Sequence, residues 1–116
     1  MRTVIGALSI SVAFAACAGG LPDRVENAAA MEAAALQIAP LGTSVDEARR
    51  RMELAGFECE PTRLAPFVGE PDSLTYAYCD GSSRGDPFVA RRFQLALVDS
   101  AGVLSRVRVT SHLVGP

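Results

Sequence analysis

The hydrophobic period changes at Gly56, and that change limits the fold more than any other feature of the chain. Before it, Val45, Ala48, Met52 and Ala55 recur three and four residues apart and form one apolar stripe. That is the pattern of an amphipathic helix. Beyond it, Phe57 and Cys59 alternate with Glu58 and Glu60, as in a strand with one buried face. The helix is expected over residues 45–55. Its start is marked by Ser44-Val45-Asp46-Glu47, a capping box in which the Ser44 hydroxyl accepts from the Glu47 amide and the Glu47 carboxylate reaches back to the Ser44 amide. Asp46 and Arg50, and Glu47 and Arg51, stand four apart with the acid first, the favourable order for ion pairs. Gly56 is the expected left-handed stop.

After Pro61–Pro71, read as a loop, residues 73–80 form a second strand carrying Tyr76, Tyr78 and Cys79. A glycine-bearing turn over 81–87 leads to a third strand at 91–99. There Phe93, Leu95 and Leu97 share one face, and Arg92, Gln94 and Ala96 share the other. Asp99-Ser100-Ala101-Gly102 is a hairpin turn, and the fourth strand runs over 103–113. Ahead of all this, Asp23–Ala39 is alanine-rich and favours helix until Pro40 and Gly42 end it. The order predicts an α+β domain: one or two N-terminal helices packed on a three- to four-stranded antiparallel sheet, with one disulfide. The second sheet face, which carries arginines, Gln94 and Thr110, is expected to be solvated or to pack against a partner.

The N-terminus speaks to location. Arg2 precedes an almost wholly apolar or small stretch, Val4–Ala16, which closes as Phe14-Ala15-Ala16-Cys17. A charged start, a short apolar core and small residues before a cleavage point make an export signal. The apolar run falls short of the roughly 20 residues that span a bilayer. A cysteine directly after two alanines is the pattern of a lipoprotein signal, in which Cys17 is lipidated and becomes the new N-terminus. Phe14 stands where leucine is usual, which leaves plain secretory cleavage near Ala16 or Ala18 as the alternative. The expected organisation is a signal peptide at 1–16, a lipidated tether and alanine-rich helix at 17–39, and a small α+β domain at 40–116. Ala18 after the anchor points to the periplasmic side of the outer membrane.

Either mode of cleavage leaves Cys59 and Cys79 as a pair, and an exported chain pairs them as a disulfide. Closing a loop of about 20 residues should stabilise the fold by roughly 3 kcal/mol. That is a large share of the ~5–15 kcal/mol that holds an ordinary domain together. The formal charge is −2, all eleven basic residues are arginine, and their density is far below what nucleic-acid binding needs.

Leu41-Gly42-Thr43-Ser44-Val45-Asp46-Glu47-Ala48, a short helix, Gly56-Phe57 and then strands resemble the SmpA/OmlA/BamE-type periplasmic lipoproteins. In that group a lipidated cysteine and tether precede a helix that packs on a three-stranded antiparallel sheet. The proteinaceous β-lactamase inhibitors use the same module. This chain departs from the group in having Cys59 and Cys79 and in lacking the Leu-Gly-x-Pro that often closes the helix. Those departures put a direct role in β-barrel assembly in doubt. Tyr78-Cys79-Asp80-Gly81 also resembles the membrane-bound lysozyme inhibitors, but those are β-barrels and the capped helix argues against them.

No constellation of nucleophile, acid and base can be named, so the expectation is a non-enzyme without cofactor, metal or small-molecule substrate. His112, the single histidine, falls on the polar face of the last strand with no nucleophile paired to it. Cys59, Cys79 and His112 match no zinc spacing. Arg84-Gly85-Asp86 reads as a turn, and Glu58, Glu60, Glu70 and Asp72 as a solvated acidic loop. If Cys79 faces the core, Tyr76 and Tyr78 face outward beside Arg92 and Arg106, a composition suited to a protein contact surface. In the other register the tyrosines pack under the helix. The expected function is that of a lipid-anchored envelope protein acting by binding another envelope protein. The alternative is an inhibitor of a periplasmic or secreted hydrolase that uses Thr62–Pro71 or Gly81–Pro87 as a plug.

Overall fold

A computed structural model describes residues 20–83 and 88–115. Cys17 with the expected signal peptide, and Arg84-Gly85-Asp86, lie outside the described residues. Two helices, α1 (Ala28–Ile38) and α2 (Val45–Leu54), precede five strands. These are β1 (Glu58–Cys59), β2 (Arg63–Ala65), β3 (Leu74–Ser82), β4 (Ala90–Ser100) and β5 (Val103–Val114). The sheet is antiparallel in the order β1-β3-β4-β5, and β2 pairs with β3 beside β1. Both helices pack on one face of it, α1 chiefly over β5. The α+β expectation holds, with one strand more than the sequence predicts.

Each helix is stopped and started by named groups. Asn27 caps α1, its Oδ1 accepting from the Ala30 amide at 2.8 Å. Ser44 caps α2 by accepting from the Glu47 amide at 3.1 Å. The reciprocal half of the expected capping box does not form. The Glu47 carboxylate accepts instead from Arg50 at 2.8 Å and Arg51 at 3.0 Å, and these bonds hold its pKa below the usual carboxylate range. Asp46 pairs with Arg49, one residue nearer than the Arg50 expected from spacing. Arg51 also donates to the Ile38 carbonyl at 2.9 Å, so one guanidinium closes the end of α1 and ties it to α2. At the end of α2 the Phe57 amide reaches the Met52 carbonyl and the Gly56 amide that of Glu53. Gly56 sits at φ +108°, so this Schellman stop needs its glycine.

The core lies between the helices and the sheet. Met31 of α1, Met52 of α2, Phe93, Leu95 and Leu97 of β4 and Leu104 of β5 are its largest fully buried side chains. The fold begins earlier than position 40. Leu21 and Pro22, expected in a flexible tether, are buried, and the Leu21 amide bonds to the Ala55 carbonyl at 2.8 Å. Met31 and Ala35 place α1 in the same core. A narrow alanine face suffices because it lies close over β5.

Cys59 and Cys79 stand directly opposite each other across β1 and β3 and form a disulfide, with Cα atoms 4.0 Å apart. The bridge fixes β1, which is only two residues long, to the centre of the sheet. Cys79 is fully buried toward the helices. That settles the parity of β3: Tyr76, Tyr78 and Asp80 point to the opposite face.

Candidate partner-binding face

The face turned away from the helices carries Tyr76, Tyr78 and Asp80 from β3. Arg92, Gln94, Ala96 and Val98 come from β4, and Arg106, Arg108, Thr110 and His112 from β5. The register sets these in rows across the sheet. Tyr78 lies beside Ala96 and Arg108, Asp80 beside Gln94 and Thr110, and Ser82 beside Arg92 and His112.

Half of this face is covered. The segment between β1 and β3, predicted as a plain loop, folds back as a flap over it, with β2 along β3 (Arg63 opposite Tyr76, Ala65 opposite Leu74). Three residues without alternation give no periodic signal, which is why the sequence does not reveal β2. Ala65 and Phe67 of the flap are buried with Tyr76, Ala96 and Val98 in a second, smaller apolar cluster. The Phe67 and Tyr76 rings meet edge to face, 5.4 Å apart at 78°. The Tyr76 hydroxyl donates to the Pro66 carbonyl at 2.6 Å. Burial raises the pKa of that phenol. The tip of the flap is held by Glu70, whose carboxylate bridges Arg106, at 3.1 Å, and Arg108. Burial works against the charge on Glu70, but the bonds and charges of the two arginines outweigh it and hold the carboxyl below its ordinary range.

The arrangement corrects several expectations. The tyrosines do lie on the helix-free face, but Tyr76 is only 5% exposed and serves the inner wall of the flap. Arg92 is held in a two-bond pair with Asp80, both bonds 2.9 Å, which raises its pKa. Arg106 is committed to Glu70. Of the four residues expected to meet a partner, Tyr78 alone is neither buried nor engaged in an ion pair. Its hydroxyl accepts from Gln94 Nε2 at 2.8 Å, and Thr110 donates to the other end of the Gln94 amide at 3.4 Å. Glu58, Glu60, Glu70 and Asp72 do not act as one acidic patch. Glu70 belongs to the arginines of β5, while Glu60 faces Arg63 at 3.8 Å. His112 is exposed at the far end of the face. Among the described residues no three His, Cys, Asp or Glu side chains gather as a metal site, and no helix is long and apolar enough to cross a membrane.

Between the flap and the uncovered half of the sheet runs an open cleft of about 240 Å³. Pro66, Phe67 and Val68 wall it on one side, Tyr78 and Gln94 floor it, and Glu60 and Arg63 stand at its rim. Val68 is 66% exposed beside it. The cleft thus sets an apolar wall against a hydrogen-bonded polar floor, which suits an amphipathic side chain of another protein. Phe67 and Val68 are the site residues that sequence reasoning did not place on this face, whereas Gln94 was expected on it. The alternation of β4 places Gln94 on this face, but nothing local shows that Phe67 and Val68 come down beside it. Comparison of the chain with protein-family models, with curated proteins and with solved structures returned no match.

Proposed function

We propose that this chain is an exported, lipid-anchored envelope protein that works by binding another protein, not by catalysis. The open half of the helix-free sheet face, with its cleft, is the contact site. The observation that carries this reading is the flap itself. It is locked onto the sheet by a disulfide at its root, an aromatic contact in its middle and a carboxylate between two arginines at its tip. It leaves Tyr78, Gln94 and Thr110 uncovered as a hydrogen-bonded row beside an apolar wall. A surface ordered in advance loses little entropy on association. The signal and Cys17 supply the location, on the periplasmic side of the outer membrane.

The test is capture from solubilised outer membranes by the wild-type chain and by Tyr78→Ala. A partner retained by the first and lost by the second supports the reading. Equal capture by both, with the variant folded, refutes the cleft as the contact site. Palmitate labelling of the wild type and not of Cys17→Ser checks the anchor.

One feature favours inhibition of a hydrolase as a second reading. The flap presents Leu64 and Val68, 69% and 66% exposed, on a backbone fixed from three sides, which is how a rigid inhibitory loop is built. Recovery of a single hydrolase whose activity falls on titration, with the fall abolished by Val68→Asp, would select it.

A further inference from the structure

We propose that the outer edge of β5, residues 105–114, takes up an extended acidic segment of the partner protein as an added strand. The inference rests on the protein-binding reading above and names the chemistry of the partner.

The sheet ends at β5, a strand of twelve residues, while β1 and β2 lie end to end along the other side of β3. The edge of β5 is already used at its start. The Gly42 amide donates to the Leu104 carbonyl at 2.9 Å, the Leu104 amide to the Thr43 carbonyl at 2.7 Å, and Ser44 bridges Val103 in antiparallel sense. The chain's own extended segment therefore shows that this edge accepts a strand. Pro40 and Leu41 then lead away to α1. From Ser105 onward no backbone bond is made on that side among the described residues. Such an edge is half of a hydrogen-bonding ladder.

Charge selects the occupant. Arg106, Arg108 and His112 project from β5 on the open face, and among the described residues the two arginines share a single paired carboxylate, Glu70. Arg92 is cancelled by Asp80. The edge therefore carries a positive surplus. A second copy is a poor occupant. Antiparallel self-pairing centred on residues 107–109 sets arginines of the two copies opposite or diagonal to each other or to His112. A strand with carboxylates at alternate positions places all of them on the face of Arg106, Arg108 and His112, continuing the row of Tyr78, Gln94 and Thr110.

The test uses the full chain, isotopically labelled for amide NMR, and a synthetic peptide of about ten residues alternating Glu and Thr, the length matched to the free edge. Controls are the same peptide with Lys in place of Glu, and two acidic peptides N-methylated at every second amide, one along each edge. The acidic peptide is expected to shift the amides of residues 105–114 and to bind at least about tenfold more tightly than the Lys peptide. Methylation along one edge should abolish binding, while methylation along the other leaves it intact. Arg106→Glu, at an exposed position, should reverse the preference. Equal binding of both methylated peptides, or shifts confined to Phe67, Val68 and Tyr78, overturns the proposal. So do β5 shifts that grow with protein concentration in the absence of peptide, which would make a second copy the occupant. If the peptide fails while capture from membranes persists and is insensitive to Arg106→Glu, the edge is wrong and the binding reading stands. If the peptide binds as expected and no membrane protein is captured, the edge stands and the envelope reading falls.

Discussion

Reducing the Cys59–Cys79 disulfide removes a cross-link without removing side-chain volume from the core, so it isolates the entropic contribution of the bridge. The two cysteines are 20 residues apart in sequence. On the chain-entropy relation a loop of that size confines the unfolded chain by about 11 cal/mol/K, or ~3 kcal/mol at room temperature. Little in the native sheet compensates for its loss. β1 is two residues long, and its pairing with β3 consists of Glu58 opposite Asp80 and Cys59 opposite Cys79. With a urea slope of about 1–2 kcal/mol/M, the unfolding midpoint should fall by roughly 1.5–3 M on reduction. The chain has no tryptophan and two tyrosines, so far-UV circular dichroism is the appropriate probe. Amide exchange should show where the structure loosens. Leu64 and Ala65, paired to β3 through the flap, should lose protection before Leu95 and Leu97 in the core do. A fall equivalent to less than about 1 kcal/mol would refute the reasoning. It would mean that packing of the flap, and not the cross-link, holds this side of the sheet.

Gly81→Ala should destabilise the fold by about 1–3 kcal/mol in the same urea titration. The added methyl would sit 2.8 Å from the Phe57 ring and 2.9 Å from the Pro22 ring, in packed core. Ala101→Asn should raise stability by about 1 kcal/mol. Ala101 and Gly102 make the two-residue turn between β4 and β5 with both φ angles positive (55° and 87°), a geometry that asparagine tolerates and alanine resists; an unchanged midpoint would contradict this. Glu70→Gln should flatten the acid limb of the stability profile. Arg106 and Arg108 hold the folded pKa of Glu70 below its ordinary value of 4.5, so its contribution is complete above that pH and is lost as pH falls through the folded value. Wild type should therefore lose stability on acidification below about pH 4.5 by a component that the variant lacks, measured by thermal unfolding against pH. Parallel profiles would show that the pairs with Arg106 and Arg108 do not hold the flap.

What could be read in the sequence is what acts over a few residues. Ser44 and Gly56 bound α2 within a residue of expectation, because a cap and a left-handed stop are decided by their immediate neighbours. The alternation of Phe93, Leu95 and Leu97 gave the buried face of β4, and the turn at Ala101-Gly102 gave its partner strand. The cysteine pair followed from the cysteine count read with the expectation of export, and adjacent strands supplied the geometry. Glu47 shows the limit even at short range. The same carboxylate serves a cap or two arginines equally well by spacing, and the arginines took it.

The uncovered half of the face was settled only in three dimensions. Sequence parity placed Tyr76 and Tyr78 together on one side of β3. Whether either reaches a partner depends on a flap whose landing is fixed by Glu70 meeting Arg106, 36 residues away. Contacts at that separation leave no periodic trace, since each residue type involved is equally at home in a solvated loop. The sequence alone therefore determined the helices, the strand alternation and the sulfur pair, all consequences of local backbone preference and of side chains repeating every 2 or 3.6 residues. Tertiary structure decided that Tyr76 is wall and Tyr78 is the half-buried floor of the cleft, and that Arg92 is paired within the molecule while Arg106 shares one carboxylate with Arg108. Burial and charge pairing are properties of what the chain brings together, not of what lies next in line.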